Sequence, residues 1–107
     1  MITSIYFSPT GNTKKSLESI AGALDGEKEE IDITVDLNPD ERSFAEEDFV
    51  IFGAPVYAGR IPTVSRERFQ KFKGSKTPCF VIVTYGNRHY DDALLELADL
   101  AEEQGFV

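Results

Sequence analysis

Residues 5–17 read IYFSPTGNTKKSL, a short apolar run that passes into Ser8-Pro9-Thr10-Gly11-Asn12-Thr13 and then two lysines. The apolar part has the composition of a strand. Behind the turn, Leu17, Ile20, Ala21 and Leu24 fall at the i, i+3, i+4, i+7 spacing of a buried helical stripe. Strand, tight turn and helix in that order predict the first β-α unit of a parallel sheet. The turn itself holds three hydroxyls and a glycine within six residues. Capping a helix needs only one such group, from Thr10 or Asn12. The surplus predicts an anion site: hydroxyls to donate, Gly11 to let backbone N–H groups approach an oxyanion, and the positive end of a helix behind them. The pattern is neither the GxxxxGK[ST] phosphate loop nor the GxGxxG dinucleotide turn.

Working outward, apolar runs of strand length recur at Ile2–Phe7, Ile31–Leu37, Phe49–Gly53 and Cys79–Tyr85. The first, third and fourth are nearly continuous, as in strands covered on both faces, whereas IDITVDL alternates and reads as an edge strand. Leu94, Leu97, Ala98 and Ala101 repeat the helical stripe, and a weaker helix spans Thr63 to Lys73, its apolar face made by Val64, Phe69 and Phe72. Asp25-Gly26 and Gln104-Gly105 read as helix stops. The order β-α-β-loop-β-α-β-α predicts an α/β fold with a doubly wound open parallel sheet. The whole chain, residues 1–107, is expected to form one domain. It ends on Phe106-Val107 as though another strand were starting, so the last strand–helix unit is expected to be missing. A truncated carboxyl end, a neighbouring domain or a homodimer partner covering the unclosed sheet would account for that.

Charge and composition narrow the function. A net charge of −8 excludes strong attraction to nucleic acid or an anionic membrane. A single cysteine, Cys79, allows no internal disulfide and no protein-only cysteine metal site, which fits a cytoplasmic protein. The start of the chain lacks a basic segment followed by an apolar signal core, and no apolar run reaches membrane-spanning length. Eleven acids between Asp25 and Asp48 face only Lys28 and Arg42, whereas six bases between Arg60 and Lys76 face only Glu67. Such runs read as solvated faces, or as a docking dipole for a partner protein.

In a parallel sheet every strand-to-helix loop lies at the carboxyl edge, where ligands collect. Three loops therefore share one crevice: SPTGNTKK, GAPVYAGRIP and TYGNRHYDD. The first resembles the phosphate loop of flavodoxins, which holds the 5′-phosphate of FMN. FGAPVYAGRIP and VTYGNRHYDDALLEL resemble the two flavin-ring loops of that family, especially of flavodoxin-like domains fused to ferredoxin modules. The resemblance covers nearly the whole chain and implies a flavodoxin-like strand order. By position it implies that Ser8, Thr10, Gly11, Asn12 and Thr13 hold the phosphate, with Pro9 shaping the turn. Pro55, Val56, Tyr57, Ala58, Gly59 and Arg60 would border the ring on one side, and Tyr85, Gly86, Asn87 and Tyr90 on the other. Tyr57 and Tyr90 are the stacking candidates in a chain without Trp. In flavodoxins a glycine-containing peptide turns to accept the N–H formed on the reduced ring, and Ala58–Gly59 matches it. Arg60, if near the ring, would favour its negatively charged reduced form.

The function implied is that of an FMN-binding electron carrier working between redox partner proteins, with a ferredoxin module as one candidate partner. Two alternatives stand beside it: a flavin oxidoreductase using NAD(P)H or a quinone, and a non-redox module that binds another phosphate ligand. The lone His89 reads as a solvent-facing loop residue and Cys79 as a small core residue, and neither is assigned catalysis.

Overall fold

The computed structural model describes residues 1–9, 11–34, 39–55, 61, 63–84 and 91–107, and their side chains except at 63, 64 and 91–93. Its elements are β1 (Ile2–Tyr6), α1 (Asn12–Gly22), β2 (Lys28–Asp32), β3 (Arg42–Ser43), β4 (Phe49–Pro55), α2 (Thr63–Phe69), β5 (Phe72–Lys73), β6 (Cys79–Thr84) and α3 (Asp91–Glu103). The main sheet has the order β2-β1-β4-β6 and is parallel throughout. This is the doubly wound α/β sheet that the alternating elements predict.

The continuous apolar runs of β1 and β4 are explained by where their side chains go, whereas β6, also read as covered on both faces, is an edge strand and only partly buried. Successive residues of a strand point to opposite faces. On one face Ile2, Tyr6 and Ile51 pack with Leu17 and Ala21 of α1. On the other, Ile5, Val50, Phe52 and Ala54 pack with Phe69 of α2, with Leu97, Leu100 and Ala101 of α3, and with Phe72 and Phe106. Rings tie this second core together: Phe52 stands edge-on to Phe69 at 5.7 Å and to Phe106 at 4.9 Å. Gly53 lets α1 settle on β4, because a Cβ there would lie 2.4 Å from Leu17 Cδ1. Phe80 is 51% exposed on the α1 face of β6, edge-on to Phe49 at 5.0 Å.

Several boundaries differ from the sequence reading. The edge strand is Lys28–Asp32, three residues earlier than Ile31–Leu37, because its register against β1 pairs Ile2 with Lys28 and Tyr6 with Asp32. An edge strand tolerates such charged residues, since one side and much of its surface face water. The segment read as a helix from Thr63 to Lys73 stops at Phe69; Phe72–Lys73 instead pairs in parallel with Arg42–Ser43, a stretch read as loop. Helix α1 ends at Gly22, short of Asp25-Gly26. In α3 the buried stripe is Leu97, Leu100 and Ala101. Phe106, read as the start of another strand, forms a parallel bridge with Thr77, and Val107 accepts a hydrogen bond from Cys79 N–H at 3.1 Å. Among the described residues no helix is long and apolar enough to cross a membrane.

Candidate functional site

Register brings the loops together. Tyr6 at the end of β1 lies beside Asp32 of β2 and Gly53 of β4, and Pro55 of β4 lies beside Thr84 of β6. The chain leaving β1, β4 and β6 therefore emerges along one carboxyl edge.

The first loop is built around Gly11. Its φ of 85° and ψ of −8° place it in the left-handed region, which glycine enters without a Cβ penalty, and the space where a Cβ would stand is open for 4 Å. Ser8 C=O accepts from Gly11 N–H at 3.3 Å, and Gly11 C=O accepts from Lys15 N–H at 3.1 Å, which begins the helix. Gly11 is thus the residue before the helix, and Asn12 is its first member rather than its cap. The capping role falls to Ser8, whose Oγ accepts from Lys14 N–H at 3.0 Å. That bond uses a lone pair and leaves the Ser8 O–H free to donate. Among the described residues, neither Asn12 nor Thr13 has an acceptor for its backbone N–H. The first turn carries no acid, and the exposed Lys14 and Lys15 follow. Unsatisfied N–H groups and the positive end of the helix coincide there.

Thr13 is only 1% exposed, and its hydroxyl shares a hydrogen bond of 2.7 Å with that of Thr84. One of the two hydroxyls donates and the other retains its proton for a further acceptor. Thr84 was missed in the sequence because it is 71 residues away. Thr34 was missed too: its Oγ1 accepts from Ser8 N–H at 2.8 Å, while Asp32 Oδ1 accepts from Thr34 N–H at 2.8 Å. The only local signal was the short spacing of Asp32 and Thr34, an ordinary turn pattern.

Two titrating groups near the loop bind their protons more tightly than usual. Tyr6 is pushed up to about 12, chiefly by burial and further by the carboxylates of Glu30, Asp32 and Glu18. Burial, then the charge and hydrogen bond of Glu18, raises the Glu30 carboxyl, with Lys14 opposing. Cys79 sits half-buried at the other end of β6, where burial raises its thiol. Beside it lies a recess of about 400 Å³ lined by Val81, Ala98, Ala101, Phe106 and Glu102, remote from the carboxyl edge. Among the described residues no cluster of His, Cys, Asp and Glu could hold a metal ion.

Of the predicted site residues, Ser8, Pro9, Gly11, Asn12, Thr13 and Pro55 are brought to this edge. Thr10, Val56, Tyr57, Ala58, Gly59, Arg60, Tyr85, Gly86, Asn87 and Tyr90 lie outside the described residues, as does His89. The sequence profile of the flavodoxin domain matches residues 4–91, from β1 through all three loops. The chain belongs to the flavodoxin domain family. Its backbone is also similar to a solved structure, a flavoprotein from Lactobacillus acidophilus NCFM in complex with FMN. The TM-score is 0.68 at 16% identity, over 98% of this chain and 87% of that one. At that identity the likeness speaks for the flavodoxin fold alone. No curated protein matches the chain. The profile match runs through the α1 N-terminus, so the donors described above belong to the first loop of a flavodoxin domain.

Proposed function

We propose that this flavodoxin domain binds FMN at the carboxyl edge of its sheet and serves as an electron carrier between redox proteins. The observation that carries the proposal is the N-terminus of α1. There a left-handed Gly11 with open space beside it, the free O–H of Ser8 and the N–H groups of Asn12 and Thr13 lie together at the positive end of a helix. A phosphate monoester needs several donors and no bulky neighbour, and this set supplies both. The residues therefore fit the phosphate of FMN, and the solved flavoprotein of like fold was crystallised with that ligand.

Bound flavin would supply the one- and two-electron redox chemistry. Ser8, Thr10, Gly11, Asn12 and Thr13 would hold the phosphate. The segments after Pro55 and after Thr84 would border the ring, and the adjacency of those two residues in the sheet is what supports assigning both segments to one ligand. Tyr6 remains a neutral phenol under the loop and exchanges no proton there. A surface with net charge −8 favours basic partner proteins, through faster encounter more than through affinity.

The test is a fluorescence-quenching titration of the chain with FMN, using riboflavin as the phosphate-free control. FMN should bind at least about ten-fold more tightly, the equivalent of one good charge-assisted contact. Equal affinity for the two would overturn the phosphate assignment. The carrier reading is tested separately with the FMN-loaded chain: sustained turnover of NAD(P)H with a quinone, without added reductase, would make it an enzyme instead.

A further inference from the structure

Arg68 is a charged residue that the proposed site does not use, yet it is only 8% exposed. It belongs to α2, whose next residue, Phe69, is fixed in the core. Its Nη1 donates to Ile33 C=O at 2.6 Å and to Thr34 C=O at 2.7 Å, and its guanidinium carbon lies 5.6 Å from the centre of the Phe7 ring. Among the described residues no carboxylate forms an ion pair with it. Burying a guanidinium is costly unless it is hydrogen-bonded, and the partners it has are revealing. Phe7 immediately precedes Ser8. Thr34 carries the hydroxyl that accepts from Ser8 N–H.

Thr34 is thereby fixed at both ends, its N–H by Asp32 and its C=O by Arg68, and its hydroxyl is left in place to anchor Ser8. Ser8 in turn supplies the Oγ that accepts from Lys14 N–H at the start of α1. We infer that Arg68 is a positioning residue of the phosphate loop, acting through Thr34 and Phe7 on Ser8 without touching the ligand. A purely structural clamp would have no bearing on which ligand binds. Here the clamped residues lead directly into the anion site. The buried positive charge, unpaired by any described carboxylate, also makes that end of the sheet more favourable for a dianion.

This inference rests on reading the first loop as the FMN phosphate site, so the experiment keeps the two apart. Dissociation constants for FMN and riboflavin are measured for the unmodified chain and for Arg68→Met, Arg68→Lys and Thr34→Val, with thermal unfolding recorded for each. Arg68→Met should lose about ten-fold in FMN affinity while riboflavin affinity stays unchanged, because only the phosphate contacts are misplaced. Arg68→Lys, which keeps the charge without the planar fork, should recover part of that loss. Thr34→Val, which removes the Ser8 anchor and leaves Arg68 alone, should show the same selective loss. It carries the test if Arg68→Met does not fold. An unchanged FMN-to-riboflavin ratio in the folded variants, or equal weakening of both ligands, would overturn the role of Arg68. No preference for FMN in the unmodified chain would instead overturn the phosphate reading itself.

Discussion

Gly53 is the residue on which the proposed site and the core depend together. It sits in the middle of the sheet, beside Tyr6, and has α1 lying directly on it. A methyl group there would meet Leu17 Cδ1 at 2.4 Å, Thr13 Cγ2 at 2.9 Å and Leu17 Cδ2 at 3.0 Å. Leu17 has no exposed surface into which to retreat, so the helix itself must shift. Gly53→Ala should cost about 1–3 kcal/mol, the range for overpacking a filled core, measured by urea unfolding. Because Thr13 is one of the groups displaced, FMN affinity should fall in the same variant. Stability within about 0.5 kcal/mol of the parent, the range of an ordinary surface change, would show that α1 does not bear on β4 so closely. At this scale the local donors of the site were legible: Ser8, Gly11, Asn12 and Thr13 announce themselves by type and spacing. Their supports were not, since Thr34 and Thr84 reach the loop across separations of 26 and 71 residues, and Arg68 reaches Ile33, next to Thr34, across 35. Nothing about such residues is unusual in the sequence until the sheet aligns them.

Elements were legible where an unbroken apolar run marks them. Strands β1 and β4 are buried between helices on both faces of the sheet, which leaves an unbroken apolar signature, whereas β6 carries a similar run at the other edge although it is only partly buried and Phe80 is exposed. Strand β2, at the edge, is specified by its hydrogen bonds to β1 instead, and its KEEID sequence hides it. Strands β3 and β5 have only two residues each, too few for any periodicity to register. The charged edge has a consequence of its own. Glu30 on β2 and Glu18 on α1 are close enough for their carboxyls to share a hydrogen bond, and the Glu30 carboxyl is raised by burial and by Glu18. A carboxyl raised on folding means that the folded chain holds the proton more tightly than the unfolded one. Its contribution to stability is therefore present at acid pH and is lost as pH rises through the raised value. Glu30→Gln removes this penalty. The variant should unfold at a higher temperature than the parent at pH 7, and the gap should close as pH falls through the carboxylate range. A gap independent of pH would mean that folding does not raise the Glu30 carboxyl. The effect should be small, because Glu30 is largely exposed and solvent screens it.

Taken as a whole, the molecule is a small object with a large charge. The parallel sheet followed from the alternation of strands and helices, whereas its order, β2-β1-β4-β6, was implied only by the flavodoxin resemblance. The balance of −8 bears on a different question, the conflict between staying folded and meeting a partner. The principal extents are 35, 27 and 24 Å. At about 0.01 M salt the screening length is roughly 30 Å, so nearly every acid repels every other across the molecule; at about 0.15 M it shrinks to roughly 8 Å and only neighbours interact. Adding salt over that range should therefore raise the unfolding temperature, as self-repulsion is screened. The same salt should slow electron transfer to a basic partner protein, since the long-range attraction that steers the encounter is screened equally. The two responses have opposite signs and a common cause. Measured side by side, unfolding temperature by calorimetry and second-order transfer rate by stopped flow, they test whether the proposed carrier recruits a partner by charge or its acidity serves only solubility. In the second case stability would still rise with salt, but the transfer rate would stay flat.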